Sequence, residues 1–185
     1  MITLIYGGSG SGKSAFAEDY VLNTHIKNRF YLATMMSSDG ESKNRIQRHR
    51  KLRDGKGFVT LEHGTDIVNA ITEIERISTG EFSTYSNDES IVLLECMSNL
   101  VANEMFADGR MCSASECADK ILTDIKKLNE CVTRLVVVTN NIFEDGKSYD
   151  EGTKEYMRSL GKINLKLREM AHEAYEVVVG IGIKI

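Results

Sequence analysis

The 185-residue chain has no surplus of charge of either sign: 27 acidic and 23 basic residues are spread along it, for a formal net charge of −4. Without a one-signed field there is no general attraction for nucleic acid or an anionic membrane, so any anion site must be local. The four cysteines, Cys96, Cys112, Cys117 and Cys131, lack the paired C-x-x-C spacing of a structural zinc site. Nothing marks the chain as secreted, and reduced thiols in a cytoplasmic protein are expected. No apolar run is long enough to span a bilayer. The opening MITLIY is short, lacks a basic flank and runs straight into glycines, which predicts a strand rather than a signal peptide. There is no internal repeat. The polar stretch at 78–90, with Gly80, Ser83, Ser86, Asn87 and Asp88, is expected to be an exposed connection too short to link two domains.

What is present suits one domain over residues 1–185, because 42% of the residues are hydrophobic and a chain of this length buries a sizeable core. Apolar runs at 2–6, 30–33, 91–94 and 135–139, with a fifth at 177–179, predict buried strands of a parallel sheet. Helical spacing separates them at 14–22, 66–77, 114–128 and 153–174; Ile67, Ile71 and Ile74, for example, share one face. Parallel neighbours require crossovers, so the alternation predicts an α/β fold, a three-layer α/β/α domain with ligands at the C-terminal ends of the strands.

The first strand is followed by Gly7, Gly8, Ser9, Gly10, Ser11, Gly12, Lys13 and Ser14. These satisfy G-x-x-x-x-G-K-[ST] between a strand and a helix, the context that a phosphate-binding loop requires. Glycines let the backbone wrap so that its N–H groups face phosphate oxygens, and the helix N-terminus adds partial positive charge. Lys13 is expected to reach the outer phosphates of a triphosphate, and the Ser14 hydroxyl to ligate the Mg²⁺ that bridges them. Glu95 closes the IVLLE strand at 91–95 and is expected to place a carboxylate near that ion, although a solvated acid or a helix cap is the plainer alternative.

Residues 45–53, RIQRHRKLR, are dense in cations. On a helix Arg45, His49 and Arg53 fall on one face at four-residue steps. Neighbouring positive charge disfavours protonation of His49, which leaves a ring nitrogen able to attack phosphorus, as covalent nucleotidyl transfer needs. Taken alone, the segment is more simply read as a solvated basic helix with an incidental histidine, since charge runs usually face water.

Six motifs together resemble one family, the bifunctional adenosylcobinamide kinase/adenosylcobinamide-phosphate guanylyltransferases of cobalamin biosynthesis. They are the loop at 7–14, YLAT at 31–34, RIQRHR at 45–50, LLEC at 93–96, VTN at 138–140 and the terminal GIGIKI at 180–185. The resemblance implies a RecA-like P-loop fold and a cytoplasmic homotrimer with nucleotide sites near subunit interfaces. It implies two reactions: phosphorylation of adenosylcobinamide by ATP or GTP, and transfer of GMP from GTP to adenosylcobinamide phosphate through a guanylyl-histidine. His49 matches the guanylylated histidine, and the guanine-nucleotide contacts fall on residues 7–14, Thr34, Arg50, Lys51, Leu52, Arg53, Glu62 and Glu95. His25, His63 and His172 match no motif. One departure stands out, since many members have V-T-N-E-V-G where this chain has VTNNIF at 138–143. Asn141 thus lacks that carboxylate, for which Glu144 or Asp145 could compensate. A kinase without the transferase activity is the rival reading. A GTP-dependent switch is disfavoured because TNNI at 139–142 does not supply an N-K-x-D guanine motif.

Overall fold

The structure is a computed structural model that describes residues 1–36, 53–79, 89–109, 111–143 and 148–185. His49, Arg50, Lys51, Leu52, Glu144, Asp145 and most of the 78–90 connection lie outside the described residues.

The described residues form one seven-stranded sheet in the order β3-β2-β4-β5-β1-β6-β7. Its strands are β1 (Ile2–Gly7), β2 (Asn28–Ala33), β3 (Phe58–Glu62), β4 (Ser90–Glu95), β5 (Arg134–Asn140), β6 (Glu173–Val178) and β7 (Ile181–Lys184). Every pairing is parallel except that of β6 with β7, which are antiparallel. The described helices are α1 (Lys13–Asn23), α2 (Ala70–Thr79), α3 (Met97–Met105), α4 (Ala114–Glu130) and α5 (Glu151–Met170).

The central strands are apolar at successive positions because they are covered on both faces. In β4, Val92 and Leu94 enter the larger core with Leu100, Ile125 and Ile163 of the helices α3, α4 and α5. Ile91 and Leu93 enter the smaller core on the opposite face, with Ala17 and Val21 of α1. Both halves of the core are therefore built on the central strands of the sheet. The α4 start is fixed by a capping box, in which the Ser113 hydroxyl accepts from the Glu116 N–H and the Glu116 carboxylate accepts from the Ser113 N–H. The Asp150 carboxylate caps α5 by accepting from Thr153 N at 3.0 Å.

The architecture is the expected α/β/α arrangement, with corrections to its parts. The sheet gains β3, and its last strand is antiparallel. The fifth run is β6 at Glu173–Val178 rather than 177–179, because Val179 leaves the strand at a positive φ of 50°. The predicted helix at 153–174 stops at Met170, where Ala171 takes an extended backbone with ψ 134°. The 66–77 segment begins as a 3-10 turn, Ile67–Asn69, before α2.

A nucleotide pocket at the strand ends

The glycine loop sits where β1 gives way to α1. Gly10 and Gly12 have φ of 71° and 86°, a left-handed backbone that favours glycine. Gly12 also faces the β6–β7 turn: a Cβ there would stand 3.0 Å from the Gly180 Cα. The Gly180 N–H donates to the Ser11 carbonyl at 2.7 Å, and a Cβ on Gly182 would strike the Phe16 ring at 2.2 Å. The terminal GIGIKI motif thus buttresses the phosphate loop from the far edge of the sheet.

Lys13 is only 9% exposed, and its Nζ donates to the Gly8 carbonyl at 2.9 Å. Burial holds this ammonium below the usual lysine range, against the opposite pull of Cys96 and Glu95 nearby. The Ser14 hydroxyl donates to Glu95 Oε1. A hydroxyl and a carboxylate, both hard oxygen donors, therefore meet at the first turn of α1, and this pair fits Mg²⁺.

Sheet register brings the two acidic strand ends together. Ala33 pairs with Glu62 on one side and with Glu95 on the other, so the ends of β3, β2 and β4 lie level. Lys13, Ser14, Glu62, Glu95, Tyr31 and Arg53 line one cavity of about 250 Å³. Arg53 is 7% exposed. Its guanidinium lies 3.5 Å from the centre of the Tyr31 ring, a cation–π contact that holds the cation in the cavity wall. Arg53 Nε is buried with no hydrogen-bond partner among the described residues, which leaves a donor to satisfy in a pocket suited to phosphate. Burial, then the nearby Glu95 charge, pushes the Tyr31 phenol far above its ordinary range, so it stays neutral.

Thr34 is placed differently. It is fully buried, and its hydroxyl donates to the Cys96 carbonyl at 2.8 Å. The Asn103 amide donates to both Thr34 O and Gly64 O, at 2.8 and 2.9 Å. Thr34 ties the loops after β2, β3 and β4 together, while its neighbours Ala33 and Met35 line the cavity. Asn140, which ends β5, also lines the cavity. Its Nδ2 donates to Ser98 Oγ at 2.5 Å, and that hydroxyl lies 3.0 Å from Cys96 Sγ. Asn140 was visible in the VTN motif; Ser98 and the stacking of Tyr31 under Arg53 carried no local signal.

Asn141 lies apart from that cavity. Its N–H donates to the Gly7 carbonyl at 3.0 Å, its side-chain oxygen accepts from Phe143 N at 3.3 Å, and it lines a second cavity beyond Gly8. His63 Nε2 lies 2.8 Å from Glu73 Oε1, and His172 Nδ1 accepts from Ile2 N at 3.2 Å; both have structural partners. Among the described residues one carboxylate cluster, Asp66, Glu104 and Asp124, could hold a cation. Lys120 Nζ already sits on all three, at 2.9, 2.5 and 3.2 Å.

The cobinamide kinase / cobinamide phosphate guanyltransferase family model matches residues 3–185. A protein of Salmonella typhimurium named bifunctional adenosylcobalamin biosynthesis protein CobU is 30% identical over 194 residues, covering 100% of this chain and 99% of the relative. Its namesake in Escherichia coli strain K12 is 28% identical over 197 residues, with the same shares covered. The solved ATPase domain of G40P aligns with 95% of this chain and 68% of its own at a TM-score of 0.57 and 14% identity, a likeness of fold alone. With loop, strand-end carboxylates and family match running the length of the sequence, the chain belongs to the cobinamide kinase / cobinamide phosphate guanyltransferase family.

Proposed function

We propose that the chain is a single P-loop catalytic domain that phosphorylates adenosylcobinamide and then transfers GMP to the product. The observation that carries this reading is the convergence of Lys13, Ser14, Glu95 and Arg53 on one cavity. Arg53 stands four residues after His49, and four residues of chain reach at most about 14 Å. We propose His49 as the nucleophile of the transfer step, carried to this cavity by that short stretch of chain.

In the kinase step the loop N–H groups and Lys13 hold the triphosphate of ATP or GTP. The alcohol oxygen of the acceptor bonds to the terminal phosphorus, the bridging oxygen leaves with the nucleoside diphosphate, and the hydroxyl proton passes to water. Ser14 and Glu95 would hold Mg²⁺, which when bound neutralises charge developing on the phosphates. In the transfer step the neutral His49 ring attacks the α-phosphorus of GTP and pyrophosphate departs. Lys13 and Arg53 stabilise the charge on that leaving group. A phosphate oxygen of adenosylcobinamide phosphate then attacks the histidine-bound phosphorus, the N–P bond breaks, and adenosylcobinamide-GDP forms. Incubation with adenosylcobinamide, GTP and Mg²⁺ is expected to give first the phosphate and then the GDP derivative by mass spectrometry; a corrinoid left unchanged would overturn the reading.

We infer in addition a cytoplasmic homotrimer with nucleotide sites near subunit interfaces. Among the described residues no helix is long and apolar enough to cross a membrane. The edge strand β7 exposes Ile181 and Ile183 at 68% and 50%, an apolar edge of the kind that folded proteins cover. Light scattering is expected to give three times the 20.7 kDa chain mass, and a concentration-independent monomer would contradict the trimer.

A further inference from the structure

A second cavity of about 540 Å³ is lined by Gly8 and by Asn141, the residue next in the chain to Asn140 of the nucleotide pocket. Among the described residues it is lined by Gly8, Ile142, Tyr149, Thr153, Tyr156 and Met157 together with Asn141, and none of these side chains carries a charge. A lining of uncharged apolar and hydroxyl side chains is a poor host for phosphates and a good one for an uncharged organic group with a few polar contacts.

Its position settles which end of the nucleotide it faces. Lys13, the residue that reaches the outer phosphates, has its Nζ on the Gly8 carbonyl at 2.9 Å. The outermost phosphate is therefore expected beside Gly8, with the nucleoside at the opposite end of the triphosphate. In-line phosphoryl transfer requires the acceptor to approach that phosphate from the side away from the leaving group.

From this juxtaposition we propose that the cavity beside Gly8 is the acceptor subsite, which holds the alcohol arm of the corrinoid and the adjoining rim of its macrocycle. The proposal rests on the kinase and transferase reading above. A whole corrinoid is far larger than the cavity, so most of the ring stays outside. Tyr156 couples the two cavities: its hydroxyl donates to the Ser98 carbonyl at 3.3 Å, and Ser98 Oγ holds the Asn140 amide in the wall of the nucleotide pocket. Burial first, then the neighbouring Cys96, pushes the Tyr156 phenol up to about 12, so it stays a neutral donor across the working range of pH.

Met157→Trp and Ile142→Phe fill the cavity from two sides. Each is expected to raise the KM for adenosylcobinamide at least about tenfold, the scale on which a pocket rejects added bulk. The KM for GTP and the rate of corrinoid-independent guanylylation of the enzyme should stay at wild-type values, which also reports that the variant is folded. An unchanged corrinoid KM in a variant that guanylylates normally would overturn the acceptor assignment while leaving the proposed function intact. Loss of guanylylation, or a raised GTP KM, in both variants would assign the cavity to the nucleotide and overturn it as well. Failure of the wild type to act on the corrinoid would instead sink the function on which the proposal rests.

Discussion

Lys13→Ala is expected to lower both the phosphorylation of adenosylcobinamide and the guanylyl transfer by about 1,000-fold in kcat, which corresponds to about 4 kcal/mol of transition-state stabilisation. The charge matters in both reactions for one reason. In each, negative charge grows on phosphate oxygens held by the glycine loop, on the nucleoside diphosphate in the first case and on pyrophosphate in the second. The ammonium is 9% exposed and tethered to the Gly8 carbonyl, so it is positioned before the nucleotide arrives and acts where water screens it little. Steady-state rates of both reactions at saturating Mg²⁺ check this. A loss confined to one reaction, or smaller than about tenfold in both, would show that the two steps do not share the loop as their phosphate anchor.

His49→Ala separates the reactions. Guanylyl transfer is expected to fall by more than about 10⁴-fold, the scale on which removal of a nucleophile acts, whereas kinase activity is largely retained because the acceptor hydroxyl attacks the terminal phosphate directly. The flanking Arg45, Arg48, Arg50, Lys51 and Arg53 remain to bind phosphate in the variant. Equal loss of both activities would mean that His49 supports the nucleotide site as a whole and would end the division of roles.

The parts of this account that were legible in the sequence are the parts encoded locally. The loop at 7–14 names its own function because glycine spacing, lysine and hydroxyl are contiguous, and Gly10 and Gly12 do take the left-handed backbone that the motif requires. The central strands were legible because burial on both faces leaves them uniformly apolar. The edges were not. β3, with the sequence FVTLE, leaves Val59 40% exposed and among the described residues pairs with β2 alone, and β7 carries a glycine forced by the Phe16 ring, so neither presents an apolar run. The nine-residue helix α3 follows β4 too closely to show its own period.

The site divides in the same way. Glu95 could be placed from its strand end, but its partnership with Ser14 depends on the register of β4 in the sheet. Arg53 over Tyr31 joins residues 22 positions apart, and the link from Asn140 through Ser98 to Cys96 joins the ends of two strands and the start of α3. No local pattern encodes such contacts. Thr34, expected at the nucleotide together with its neighbours, is a buried clamp, and Ala33 and Met35 beside it line the cavity.

Intact-protein mass spectrometry after incubation with GTP and Mg²⁺, without any corrinoid, tests the central claim most directly. Wild-type enzyme is expected to gain the mass of one GMP per chain by an acid-labile bond, and His49→Ala to gain none. Wild-type protein that turns over adenosylcobinamide yet never carries GMP would contradict the guanylyl-histidine and leave a kinase alone.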